Sequence, residues 1–120
     1  MKTHHLCPLF LLFLFSCTYN KVEISPVPPC DGTLATYSSN IAPLVEAKCA
    51  TGLGSGTGCH DAWILTYGGL KTAVDNGSLI ETCILDQTMP KLPNNFGITA
   101  LTEEEKNLII CWVEQGAPNN

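Results

Sequence analysis

No stretch of this chain alternates polar and apolar residues for long, whereas helix starts and stops recur along it. A half-buried strand needs period two, and a surface helix needs apolar residues at i, i+3, i+4 and i+7. The pattern therefore selects an all-α fold. Ile41, Leu44, Val45 and Lys48 follow the helical spacing and predict a first helix from near Ser39 or Asn40 to Lys48. Pro43 is compatible with it, because first-turn N–H groups have no helical partner to lose. A short helix over Tyr67 to Val74 follows Thr66 as its cap, and Asn76-Gly77 marks a turn. Ser78-Leu79-Ile80-Glu81 reads as a capping box that starts a helix at Leu79, to end before Pro90. Thr102-Glu103-Glu104-Glu105 is a second box, with three acids at the positive end of the helix dipole. Leu108, Ile109, Trp112 and Val113 form its apolar face, and Gly116 followed by Pro118 stops it. Residues 51–58 are rich in glycine and residues 91–100 in proline, asparagine and glycine, so both are irregular. The expectation is three to five short helices with long loops.

A unit of that kind buries too little surface to be comfortable alone and calls for crosslinks or a cofactor. The N-terminus contributes nothing to its core. Lys2, the apolar run Leu9 to Phe15 and small Ser16 read as an export signal, too short to span a bilayer. Leu14-Phe15-Ser16-Cys17 looks like a lipobox, in which Cys17 becomes the lipid-bearing residue after cleavage. The expected organisation is a signal over residues 1–16, a lipidated tether over 17–36 and a helical domain over 37–120. Pro26, Pro28 and Pro29 keep the tether extended. Such a protein sits in the cell envelope, lipid-anchored and facing the periplasm or the cell surface. Losing Lys2 takes the formal net charge from −5 to −6, and there is no arginine. That excludes a basic footprint for nucleic acid. The acidic surface serves solubility and could suit a basic partner.

Seven cysteines are many for so short a chain. Cys7 falls in the signal and Cys17 at the lipid site, which leaves Cys30, Cys49, Cys59, Cys83 and Cys111. Export places them where disulfides persist, and their odd number points to further chemistry. The segment from Cys49 to Cys59-His60 carries it. A haem c attachment signature has two cysteines two residues apart, with histidine next. The thiols add to the haem vinyl groups, and the histidine beside the second becomes the proximal iron ligand. Cys59-His60 has that adjacency, but nine residues separate the cysteines. Lengthening a flexible loop from two to nine residues costs only about 1.3 kcal/mol in closure entropy. Met89, in Thr88-Met89-Pro90, lies between two predicted helices, where a loop can present its thioether as a distal ligand. Zinc held by Cys49, Cys59 and His60 is the poorer reading, because adjacent Cys-His ligands suit a tetrahedral site badly and a fourth ligand is not evident.

Tyr37-Ser38-Ser39-Asn40-Ile41-Ala42-Pro43-Leu44 before Cys49 resembles the first helix of small monohaem c-type cytochrome lipoproteins of Gram-negative bacteria. Leu65-Thr66-Tyr67-Gly68-Gly69-Leu70-Lys71 is similar to their middle segment, and Met89-Pro90 to their distal-methionine motif. Leu101 to Glu105, leading to Trp112-Val113-Glu114-Gln115-Gly116-Ala117-Pro118, is similar to their last helix and tail. The likeness runs from Cys30 to Pro118. It implies a cytochrome c-like bundle around one haem c, with His60 proximal, Met89 distal and attachment through Cys49 and Cys59. The widened interval leaves attachment by Cys59 alone as a variant.

The function so implied is electron carriage between redox partner proteins, not enzymatic conversion. Met89 fills the sixth position, and no acid–base pair for a peroxidase stands beside it. Lys71, Lys91, Trp63 and Tyr67 are the candidate donors to haem propionates, with core packing as the aromatic alternative. Trp112 is expected between helices near the cofactor. Two of Cys30, Cys83 and Cys111 should pair. Cys83 with Cys111 is preferred, because it would tie the helix before Met89 to the last helix; Cys30 with Cys111 competes. The rival function is a redox-inactive structural or binding lipoprotein, with a Cys49–Cys59 disulfide and no haem.

Overall fold

The computed structural model describes residues 27–49, 60 and 62–120. The signal over 1–16, Cys17, the glycine-rich segment and Cys59 lie outside them. Helices and helical turns make up the regular structure, and no strand occurs among the described residues. The class is helical, as the absence of period two predicts. No helix among the described residues is long and apolar enough to cross a membrane.

The first helical segment opens at Thr36, whose hydroxyl accepts from the Ser39 N–H. Asn40 folds back, and its Oδ1 accepts from the Thr36 N–H at 2.9 Å. This exchange opens a π-type turn, Tyr37–Ile41, that runs directly into α1, Ala42–Lys48. The start therefore lies before the Ser39 or Asn40 expected from sequence, because Asn40 caps from inside the turn. A 3-10 turn, Ala62–Leu65, leads to α2, Tyr67–Asp75, where Thr66 Oγ1 accepts from the Gly69 N–H at 3.0 Å.

The helix α3, Ser78–Ile80, continues into a second π-type turn, Glu81–Leu85. The capping box expected at Ser78 does not form. Gly77 takes a left-handed conformation (φ 80°), and Asn76 Oδ1 accepts from the Ser78 N–H at 2.9 Å. The turn thus caps the helix one step earlier, and the Ser78 hydroxyl donates instead to the Ala73 carbonyl at 3.4 Å.

The box at Thr102 does form and starts α4, Glu103–Glu114. Thr102 N–H donates to Glu105 Oε2 at 2.8 Å, and Glu105 N–H donates to Thr102 Oγ1 at 3.2 Å. Gly116 (φ 88°) ends the helix, and the Ala117 N–H reaches back to the Trp112 carbonyl at 2.8 Å. Replacing Thr102 by alanine should lower stability by about 1 kcal/mol, the usual worth of an N-cap, read as a shifted urea midpoint.

The core joins Ile41 and Val45, Leu70 and Ala73, Leu79 and Ile84, and Ile109, Ile110 and Trp112 of α4. Trp112 is fully buried, and its indole N–H donates to the Pro118 carbonyl at 3.0 Å. Tyr37 packs on it with ring centroids 6.0 Å apart.

One expectation is corrected along α4. Cys111 pairs with Cys30, not with Cys83; the Cα atoms are 4.7 Å apart. Asn107, Cys111 and Glu114 lie at i, i+4 and i+7, hence on one face of the helix. A strap from residue 30 onward covers that face. Cys30 N–H donates to the Glu114 carboxylate at 3.3 Å, Asp31 N–H to Asn107 Oδ1 at 3.4 Å, and Gln115 Nε2 to the Thr33 carbonyl at 2.9 Å. Cys83 is turned away, a buried free thiol. Residues 30–36, placed in the tether by sequence, meet the domain through these contacts, and Ala35 is wholly buried.

Hydrogen bonds from the Thr33 hydroxyl and Asn107 hold the Asp31 carboxyl below its ordinary value of 3.8. A depressed folded-state pKa contributes stability that is present above 3.8 and is lost as pH falls through the lowered value. In an acid titration, Asp31→Asn should therefore show a shallower stability loss below about pH 4 than wild type. Parallel acid limbs would remove Asp31 from the strap's anchoring.

Candidate functional site

A cavity of about 250 Å³ opens between α1, α2, α3 and the loop after the second π-type turn. Cys49 enters it as the C-cap of α1, its N–H bonded to the Val45 carbonyl at 2.8 Å. His60 precedes the 3-10 turn, which sets Trp63 beside it with ring centroids 5.9 Å apart and planes at 88°. Ile64, Ala73, Leu79 and Cys83 supply the apolar wall, and Ser78 and Thr82 line it as well.

Met89 completes the cavity through backbone chemistry. Gln87 takes a left-handed conformation (φ 52°) and turns the chain back. The Thr88 and Met89 N–H groups then both donate to the Thr82 carbonyl, at 2.9 and 3.1 Å. That carbonyl lies in the π-type turn, and such turns recur at functional sites. The side chain of Met89 lines the same cavity as Cys49 and His60. Three of the four residues expected to hold the cofactor are thus gathered, and the fourth, Cys59, lies outside the described residues.

A narrower recess continues past His60 and Met89 to Pro90, Lys48, Lys91 and Ile98. Lys48 was not foreseen. Its Nζ lies 3.2 Å from the Glu105 carboxylate and donates to Thr99 Oγ1 at 2.8 Å. It also donates to the Ala100 carbonyl at 3.2 Å, and so holds the 91–100 loop against the end of α1.

The other candidates divide. Trp63 lines the cavity and Lys91 the recess. The Tyr67 hydroxyl is committed to the Ala117 carbonyl at 2.9 Å, and Lys71 pairs with Asp75 one turn on. Trp112 packs with Tyr37 and the chain end, and is not among the cavity's lining residues. Burial pushes the Cys83 thiol pKa up, so at neutral pH it presents S–H to the cavity, not thiolate.

The donors surround a space rather than a point. Among the described residues, one group of three His, Cys, Asp or Glu side chains has ligand atoms within 4.8 Å of one another: Cys30, Asp31 and Cys111. Two of those are the disulfide. Cys49, His60 and Cys83 are therefore not drawn around one bare ion. The space, about 250 Å³, falls just below the roughly 300–1,000 Å³ typical of ligand pockets, and has mostly apolar walls with thiol, thioether and imidazole groups among its lining. Comparisons of this chain with family models, with curated proteins and with solved structures return no match.

Proposed function

We propose that this protein is a membrane-anchored electron carrier of the cytochrome c kind, with one covalent haem c bound in the cavity. His60 would be the proximal ligand and Met89 the distal one. Attachment would run through Cys59, with Cys49 at the cavity rim as the second thiol. The observation that carries this reading is that Cys49, His60 and Met89, chosen from motif and spacing, line one apolar cavity. A bound haem would supply the one-electron couple. The chain's own part is to hold and shield. The Thr82 carbonyl fixes the backbone of Met89. Ile64, Ala73 and Leu79 exclude water from that side. Low polarity and a thioether ligand both favour the reduced, less charged iron and raise the potential. Lys91, which lines the recess beside Lys48, would be a cation for a propionate. In the same reading Cys17 carries lipid, the chain sits in the cell envelope, and its partners are other redox proteins.

Protein produced with the haem-maturation system tests this directly. A Soret band, a pyridine haemochrome spectrum and a mass increment for one haem on the lipidated chain are expected. Colourless material with a Cys49–Cys59 crosslink would replace the electron carrier by a structural lipoprotein.

A further inference from the structure

A histidine ligand works only if its ring is held in one orientation, and partners beside the ligand usually do this. Trp63 packs edge-on against the His60 ring, with centroids 5.9 Å apart. Trp63 is 45 % exposed, so core burial does not account for where it stands. Its position is nevertheless specified by three groups. The Trp63 carbonyl accepts from the Thr66 N–H at 3.0 Å and from the Thr66 hydroxyl at 2.8 Å. Gly69 leaves the remaining room: a Cβ there would lie 2.1 Å from the Trp63 carbonyl oxygen and 2.9 Å from Cε3 of its indole. No rotamer change relieves a clash with a backbone oxygen, so any side chain at 69 must displace Trp63. Buried Ile64, next in sequence, pins the turn to the core.

We infer that Trp63 is a positioning residue for His60, fixing the imidazole plane at the cavity wall, and that Gly69 is glycine to admit it. This reassigns Trp63 from the propionate-donor role considered from sequence. Its role toward iron rests on the proposed electron carrier; its contact with His60 does not.

The test has two arms. In protein made without haem maturation, the His60 imidazole proton signals are assigned by their loss in His60→Ala. They are then compared among wild type, Trp63→Leu, Trp63→Phe and Gly69→Ala. Trp63→Leu should shift them by removing the indole ring current, Gly69→Ala should shift them likewise by displacing the indole, and Trp63→Phe should stay nearer wild type. Wild-type positions in a folded Trp63→Leu variant would overturn the inference. In matured protein, Trp63→Leu should shift the reduction potential and let added imidazole displace ligands more readily, with Trp63→Phe restoring much of both. An unmoved potential and unaltered imidazole binding in Trp63→Leu would also overturn it. Absence of a Soret band in wild type would instead remove the electron carrier and leave the first arm to decide the Trp63 contact.

Discussion

Cys30→Ala and Cys111→Ala should each lower the unfolding free energy by about 4.5 kcal/mol, and the double variant should be no worse than either single one. The disulfide closes a loop with a sequence separation of 81 residues. Loop-closure entropy in the unfolded chain gives a cost of that size for losing it. A small domain has about 5–15 kcal/mol in total, so the loss takes a large share. Non-additivity is the signature of one shared bond. Cys83→Ala serves as the control. It keeps the crosslink and truncates one wall of an existing cavity, so it should cost nearer 1 kcal/mol. Urea unfolding under non-reducing conditions decides between the pairings. Should Cys83→Ala fall as far as Cys111→Ala while Cys30→Ala stays near wild type, Cys83 would be the partner of Cys111 after all.

Signals whose two halves lie within one turn were legible. Thr102 and Glu105 exchange both bonds of their box, Thr66 caps α2, and Gly116 ends α4. The box at Ser78 looked equally good and failed, because the adjoining Asn76-Gly77 turn competes for the same N–H. Cysteine pairing was not legible. It depends on which face of α4 the strap covers, and nothing local to Cys30 or Cys83 encodes that. The strap itself reads as linker because most of its residues are small and none repeats at helical spacing. It is held by Asn107, Glu114 and Gln115, some eighty residues away in sequence.

The candidate site divides in the same way. Cys49, His60 and Met89 carry their chemistry in their identities, and motif and resemblance single them out. The elements that turn them toward one space do not. The Thr82 carbonyl that holds Met89 is backbone, and any residue there offers one. Lys48 has the spacing of a helix residue, and its clamp on Thr99 appears only once the loop returns. Gly69 came nearest to being readable, since glycine inside a helix is costly and asks for a reason.

If the protein is the proposed haem carrier, His60→Ala should abolish its stable low-spin spectrum, whereas Met89→Ala should keep covalent haem and lose the distal sulfur. The two effects differ because the residues stand at different places in the chain. His60 follows Cys59 directly, so the proposed thioether bond confines it beside the metal; no other histidine lies in residues 61–120 to replace it. Met89 reaches the cavity from a loop held by two bonds to one carbonyl, and its loss leaves that loop's backbone anchor in place. Axial ligands span roughly 0.8 V in haem proteins, so removing a thioether should lower the potential by on the order of 0.1 V or more. It should also open a position to cyanide or imidazole. Half-buried Met89 packs against the core, so a stability loss smaller than the ~2–5 kcal/mol of a fully buried Met→Ala change accompanies it. Potentiometry and ligand titration separate that loss from the ligand effect, because weaker packing alone leaves the sulfur–iron absorption band intact. A Met89→Ala protein that keeps the wild-type spectrum and refuses added ligands would take Met89 out of the ligand set.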